Sequence, residues 1–214
     1  MQTSALYVYA IGFLAQGFFS ARMLIQWILS EKAKRVVSPN AYWICSLAGS
    51  ILLFVYGWLR HDFAIILGQL ISYYIYIWNL DLKQVWHKVP LLGRVVIMSL
   101  PFLAFGMMLH DIPAFIDSFF HNGSVPLPLL IWGSAGQVIF TLRFIYQWYY
   151  SYRRHESILP IWFWIISLFG CSIIVSYGIF RLDPVLILGQ SVGFITYSRN
   201  IMIGIKSNKT PSKQ

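Results

Sequence analysis

Apolar residues run along this chain in seven stretches separated by short polar or turn-forming segments. Most stretches reach the ~18 to 20 residues that cross a ~30 Å hydrocarbon core. The pattern predicts helices over residues 5–29, 41–59, 63–80, 91–109, 127–150, 158–180 and 184–203. The expected fold class is therefore an all-α integral membrane protein with seven transmembrane helices. The first run has no basic segment before it and no small-residue cleavage site, so it is expected to be a retained span rather than a signal peptide.

The polar positions inside these runs are not scattered. Sliding the chain on itself by 121 residues places Gln16 on Gln137, Phe19 on Phe140, Arg22 on Arg143, Gln26 on Gln147, Trp27 on Trp148 and Ser30 on Ser151. Without a gap the same offset continues through Pro39/Pro160, Trp43/Trp164, Gly49/Gly170, Tyr56/Tyr177, Gly68/Gly189, Gln69/Gln190, Tyr76/Tyr197 and Asn79/Asn200. Such self-similarity marks an internal repeat. Residues 1–82 form the first three-helix repeat, 83–125 a linker carrying the fourth helix, 126–206 the second repeat and 207–214 a tail. The fourth helix returns the chain across the bilayer, so both repeats insert in the same orientation. The arrangement expected is 3+1+3, with parallel repeats about an axis along the membrane normal.

Composition agrees with a lipid solvent: 58% of residues are apolar and 11% charged, with a mean hydropathy of +0.65. No length remains for a soluble catalytic domain of ~100 residues. Most of the basic residues behind the net charge of +9 sit in short loops beside the apolar runs. One side of the predicted spans carries Lys32, Lys34, Arg35, Lys83, Lys88, Arg94, Arg153, Arg154, Lys206, Lys209 and Lys213, and the other only Arg60 and Arg181. The positive-inside rule then puts the N-terminus outside and the C-terminus in the cytoplasm. Cys45 and Cys171 fall within spans at positions that do not align, so no disulfide is expected. The five histidines have no metal-ligand spacing, and neither metal nor cofactor is expected.

The stretch "ARMLIQWILSEKAKRVVSPNAYWICSLAGSILLFVYG" resembles the first two helices of PQ-loop proteins such as the SWEET and SemiSWEET sugar transporters. The paired "LGQ" and "QW" signatures are similar to those of the lipid-A-disaccharide synthase N-terminal domain family within that superfamily. The resemblance covers both repeats. It implies a SWEET-like triple-helix-bundle fold, a bacterial inner membrane and a link to lipid A or lipid-linked sugar metabolism. One departure stands out: Ala21-Arg22 and Leu142-Arg143 occupy the places of the Pro-Gln pair, so neither helix has the proline that kinks it.

At about 100° per residue, Gln16, Phe19, Arg22, Gln26, Trp27 and Ser30 fall within one arc of about 140°. Gly68, Gln69, Tyr76 and Asn79 likewise share one side of the third helix, as do Gly189, Gln190, Tyr197 and Asn200. A face kept in both copies is what two repeats need to line one central surface. The candidate ligand-binding residues are therefore Arg22, Gln16, Gln26, Gln69, Asn79, Trp27 and Tyr76, with Arg143, Gln137, Gln147, Gln190, Asn200, Trp148 and Tyr197. Helix-to-helix hydrogen bonding is the competing role for the glutamines, and an interfacial belt that for the aromatics. Arg22 sits about 12 Å inside the predicted end of its helix, at 1.5 Å per residue. Every acidic residue lies in a loop or at a helix end. Snorkelling to the interface is one way to keep such a charge; an anionic ligand held by the planar guanidinium fork is the other.

Three classes of function follow: a transporter, of a lipid-linked or a soluble sugar, an accessory subunit and an enzyme. A transporter or flippase of a lipid-linked sugar or lipid A-type phosphoglycolipid accounts for the repeat, the polar face and the arginines. A non-catalytic accessory subunit presenting such a lipid to a glycosyltransferase accounts for them nearly as well. A SWEET-like sugar facilitator leaves the arginines unexplained, and an enzyme lacks an intramembrane base, acid or metal site. The expected partners are a membrane lipid or lipid-linked sugar and a glycosyltransferase, with no nucleic acid.

Overall fold

The computed structural model describes residues 2–59, 63–108, 126–180 and 184–209. These residues form seven α-helices and no strand: α1 (Gln2–Ala33), α2 (Asn40–Leu59), α3 (Phe63–Leu82), α4 (Leu91–Met108), α5 (Leu127–Arg154), α6 (Ile161–Phe180) and α7 (Pro184–Lys209). A 3-10 turn, Trp86–Lys88, lies between α3 and α4. Arg60 and Arg181, the basic residues of the sparsely charged loops, lie outside the described residues.

Three helices run four or more residues past their expected ends at residues 29, 150 and 203, and α3 runs to Leu82 instead of residue 80. The charged residues after each apolar run are good helix formers, so the helix continues until the backbone forces a stop. For α1 and α5 that stop is a left-handed residue at the same place in each repeat, Lys34 with φ 55° and His155 with φ 52°. His155 N–H donates back to the carbonyls of Ser151 and Tyr152, and Glu156 N–H to that of Ser151, which satisfies the last orphan acceptors. Five residues on, Pro39 and Pro160 precede the next helix. Their carbonyls accept from Tyr42 N–H at 3.1 Å and Phe163 N–H at 3.0 Å.

The chain divides into two compact units, one of residues 1–19 and 43–125, the other of residues 20–42 and 126–214. In the first unit the start of α1 packs on α2, with Gly12 beneath the Tyr56 ring and Phe19 against Gly49. Helix α2 meets α3 through Ser50 Oγ donating to Gln69 Oε1 at 2.8 Å and through Trp43 beside Tyr76, ring centroids 6.1 Å apart. Helix α4, with Pro101 in its interior, packs on α3; there Tyr73 and Tyr74 hydroxyls donate to the carbonyls of Ile97 and Met98.

The second unit repeats these contacts 121 residues later. Gly133 lies beneath Tyr177 and Phe140 against Gly170. The Cys171 thiol reaches the Gln190 carbonyl at 3.4 Å, and Trp164 sits beside Tyr197 with centroids 6.0 Å apart. Helix α6 packs on both α5 and α7. The repeat seen in the sequence is thus also a repeat of packing.

Among the described residues, α6 is the one helix long and apolar enough to cross a membrane, and α2 and α4 carry shorter apolar stretches, Asn40–Tyr56 and Leu91–Leu103. Neither Cys45 nor Cys171 is in a disulfide, and the described residues bring no group of three His, Cys, Asp or Glu together as metal ligands.

Candidate functional site

Arg22 and Arg143 both lie in the second unit, and both are buried, at 6% and 2% exposure. Side chains on a helix lean toward its N-terminus. Arg143 follows that lean, its guanidinium carbon 3.2 Å from the centroid of the Phe140 ring one turn back. The rings of Phe144, Phe163 and Tyr197 stand at 4.6, 5.7 and 5.8 Å. Arg143 Nη1 donates to the Tyr197 hydroxyl at 3.4 Å, while its buried Nε has no hydrogen-bond partner. Arg22 stands 5.4 Å from the Tyr42 ring and 5.8 Å from that of Phe144. Phe144 therefore has both guanidiniums about it. The side chain of Arg143 turns into the helix packing and away from the charged end of α5.

One turn further along α1, Gln26 is fully buried and exchanges two hydrogen bonds with Asn200. Its Nε2 donates to Asn200 Oδ1 at 2.8 Å and its Oε1 accepts from Asn200 Nδ2 at 2.9 Å. Gln26 Nε2 also reaches Ser30 Oγ at 2.9 Å and the Val37 carbonyl at 3.2 Å, while Ser30 Oγ accepts from Val37 N–H. The second repeat copies this latch. Gln147 Nε2 reaches Ser151 Oγ at 2.9 Å and the Ile158 carbonyl at 3.0 Å, and Ser151 Oγ accepts from Ile158 N–H. Each glutamine thus pins the loop that leaves its helix. The two loops touch at Ser38 and Ser157, hydroxyl to hydroxyl at 3.2 Å.

The remaining predicted residues are placed as follows. Gln16 and Gln137 are exposed. Gln69 accepts from Ser50, and Gln190 receives the Cys171 thiol on its backbone carbonyl. Asn79 and Asn200 are fully buried, each bonding the carbonyl one turn back, at Ile75 and Thr196. Tyr76 and Tyr197 are buried beside Trp43 and Trp164. Trp27 Nε1 donates to Glu31 Oε1 at 3.2 Å, and Trp148 stacks on Tyr152 at 5.7 Å. In the second unit the structure gathers Arg22, Gln26, Arg143, Gln147, Tyr197 and Asn200.

Periodicity did not reveal the ion pair between Glu31 and Arg199, which joins α1 to α7 through two hydrogen bonds. The hydrogen bond from Arg199, helped by that from Trp27, holds the Glu31 carboxyl below the ordinary glutamate range. The signal in the sequence is a break in the repeat, for Tyr152 stands where a second Glu31 would be and Trp78 where a second Arg199 would be.

The fold and site define a helical protein built on a three-helix unit used twice, with an arginine of each copy buried among aromatic rings. Residues 11–81 and 132–202 each match the lipid A biosynthesis N-terminal domain family, and the chain belongs to that family. The two matches are themselves 121 residues apart. Among its relatives is the lipid-A-disaccharide synthase of Chlamydia pneumoniae, 32% identical over 95% of this chain and 34% of that protein. The lipid-A-disaccharide synthases of Chlamydia caviae and Chlamydia abortus are 31% and 30% identical, each over 34% of its own length. The chain thus spans about a third of the length of these relatives. No solved structure matches it. Family and relatives point to lipid A biosynthesis.

Proposed function

We propose that the chain is a multi-pass protein of the bacterial inner membrane, N-terminus outside and C-terminus cytoplasmic, that binds a phosphate-bearing glycolipid of the lipid A type and carries it across the bilayer. A lipid solvent fits the distribution of side chains: Gln26, Asn79, Gln147 and Asn200 are fully buried, while Phe13, Leu92, Phe102 and Phe180 are about 70% exposed. That is the reverse of what water selects.

The observation that carries the ligand class is Arg143, whose surroundings are aromatic and whose Nε is buried without a partner. Cation–π contacts are worth roughly 0.5–2 kcal/mol, against ~2.5–3.5 kcal/mol or more for a guanidinium in hydrocarbon. A phosphate held by the guanidinium fork closes the difference with charge-assisted bonds of ~1.5–3 kcal/mol each. Arg22, on the same Phe144 ring, gives a second fork for a diphosphate or a bulky monophosphate.

A second reading follows from coverage: the matched region is only a third of each lipid-A-disaccharide synthase, so the module instead presents its lipid to a glycosyltransferase without moving it. Native mass spectrometry of the gently purified chain tests the reading common to both. A co-purifying phosphoglycolipid that is lost in Arg143→Gln supports it, and wild-type lipid occupancy in that variant rejects it. Transbilayer movement of a labelled phosphoglycolipid in proteoliposomes then separates carrier from presenter.

A further inference from the structure

The buried arginines are not the only cations drawn together. Beyond its last turn, α1 is followed by Lys34, whose left-handed backbone turns the chain so that Lys34 and Arg35 border the same cavity as the end of α7. On α7, Arg199 and Lys206 are seven residues apart and so lie on one helix face, with Met202 and Ile203 between them. The half-open cavity they border has a volume of about 590 Å³, and among the described residues its lining holds four cations, Lys34, Arg35, Arg199 and Lys206, against one carboxylate, Glu31. That volume is within the range of small-molecule sites, ~300–1,000 Å³.

Basic residues at helix C-termini complement the macrodipole and set topology. Neither role requires four of them, drawn from two segments far apart in sequence, to line one cavity. Neither accounts for the placement of Glu31, whose carboxylate is spanned by Arg199 and held with Trp27 at the side of α1. We infer that this cavity is a second anion site, separate from the Arg22 and Arg143 pair, that takes the phosphate group of a lipid headgroup or of a soluble phosphoester. Lys34, Arg35 and Lys206 supply charge, Arg199 supplies a fork, and Met202 with Ile203 gives an apolar wall for the part of the ligand that follows the phosphate. Glu31 opposes the anion and competes with it for Arg199, so it sets how tightly the site binds.

The test uses the full chain in neutral phosphatidylcholine nanodiscs, with phosphatidic acid doped into the bilayer as one probe and inorganic pyrophosphate in solution as the other. Saturable binding of at least one probe is expected, falling as salt rises and weakening roughly tenfold in Arg35→Gln and in Lys206→Gln. Glu31→Gln should tighten binding several-fold. This is the opposite of what a merely structural ion pair predicts, and loss of fold cannot mimic it. Pyrophosphate that displaces phosphatidic acid assigns the site to soluble phosphoesters, and phosphatidic acid that resists displacement assigns it to a lipid headgroup. No saturable binding, unchanged binding in both Arg35→Gln and Lys206→Gln, or weaker binding in Glu31→Gln overturns the inference. If Arg143→Gln alone removes the binding, the probe sits at the buried arginines. This inference then fails while the proposed function stands.

Discussion

At the ends of α1 and α5 the two repeats fold the same latch and then, one residue on, diverge. Gln26 with Ser30 and Gln147 with Ser151 each hold the following loop by bonds that agree to within about 0.2 Å. The next residue is Glu31 in one copy and Tyr152 in the other. Glu31 makes an ion pair with α7 and receives Trp27, while Tyr152 stacks on Trp148, the counterpart of Trp27. The shared part is buried and serves packing, where a polar group left without its partner costs free energy. The part that differs is half exposed and charged, where the fold constrains the residue less. At this point of the fold, what the two copies keep in common is buried packing, and what they do not share is the partly exposed residue that follows it.

The largest effect expected is loss of a latch. Gln26→Leu removes the partner of Asn200, Ser30 and the Val37 carbonyl, and Gln147→Leu removes that of Ser151 and the Ile158 carbonyl. With several buried groups left unsatisfied, each variant should lose about 2–4 kcal/mol, read from denaturant unfolding in detergent. If one variant unfolds and the other is unaffected, the latch is not a shared device and the comparison breaks.

A smaller effect separates the copies where they look most alike. A Cβ at Gly170 would meet the Phe140 backbone nitrogen at 3.0 Å, whereas at Gly49 it would meet the edge of the Phe19 ring at 3.0 Å. A ring can swing and a helix backbone cannot. Gly170→Ala should therefore cost about 1–3 kcal/mol as overpacking and Gly49→Ala well under half of that, in the same unfolding measurement. Equal costs would mean that Phe19 is as fixed as the backbone.

Arg143→Gln should change stability little. It loses aromatic contacts of ~0.5–2 kcal/mol but removes a buried cation costing ~2.5–3.5 kcal/mol or more. Lipid occupancy should fall roughly tenfold, since one fork is gone, and Arg143→Lys should be intermediate because it keeps the charge without the fork. A sharp drop in unfolding temperature with lipid retained would make Arg143 a structural residue.

Much of the fold was legible because the repeat fixes it twice. A gap-free offset of 121 aligned the helices, and the packing pairs Gly12/Tyr56 and Gly133/Tyr177 keep to it. The C-terminal ends of α1 and α5 were not legible. They stop at Lys34 and His155, and neither is the glycine or asparagine that usually marks a left-handed cap. At the site, periodicity named the face but not the partners: it put Gln26 and Asn200 among the candidates without showing that they bond each other. Glu31 and Arg199 were invisible for two reasons. They are 168 residues apart, and each is the member of its aligned pair that breaks the repeat.

That pair also gives the smallest and most pH-specific expectation. The hydrogen bond from Arg199 lowers the Glu31 pKa in the folded protein, so the ion pair adds stability that is fully present above the unfolded-state glutamate value. The contribution is lost as pH falls through the lower folded value, because the protonated carboxyl no longer holds the guanidinium. Glu31 is at the surface, where screening keeps such pairs weak. The difference in unfolding temperature between wild type and Glu31→Gln should be small at neutral pH and should vanish in acid below the ordinary glutamate range. No equivalent acid-dependent difference should appear for Tyr152→Phe, which carries no carboxylate. A gap between wild type and Glu31→Gln that persists unchanged into acid would show that Glu31 acts through packing, and its pairing with Arg199 would then not be what distinguishes the first repeat from the second.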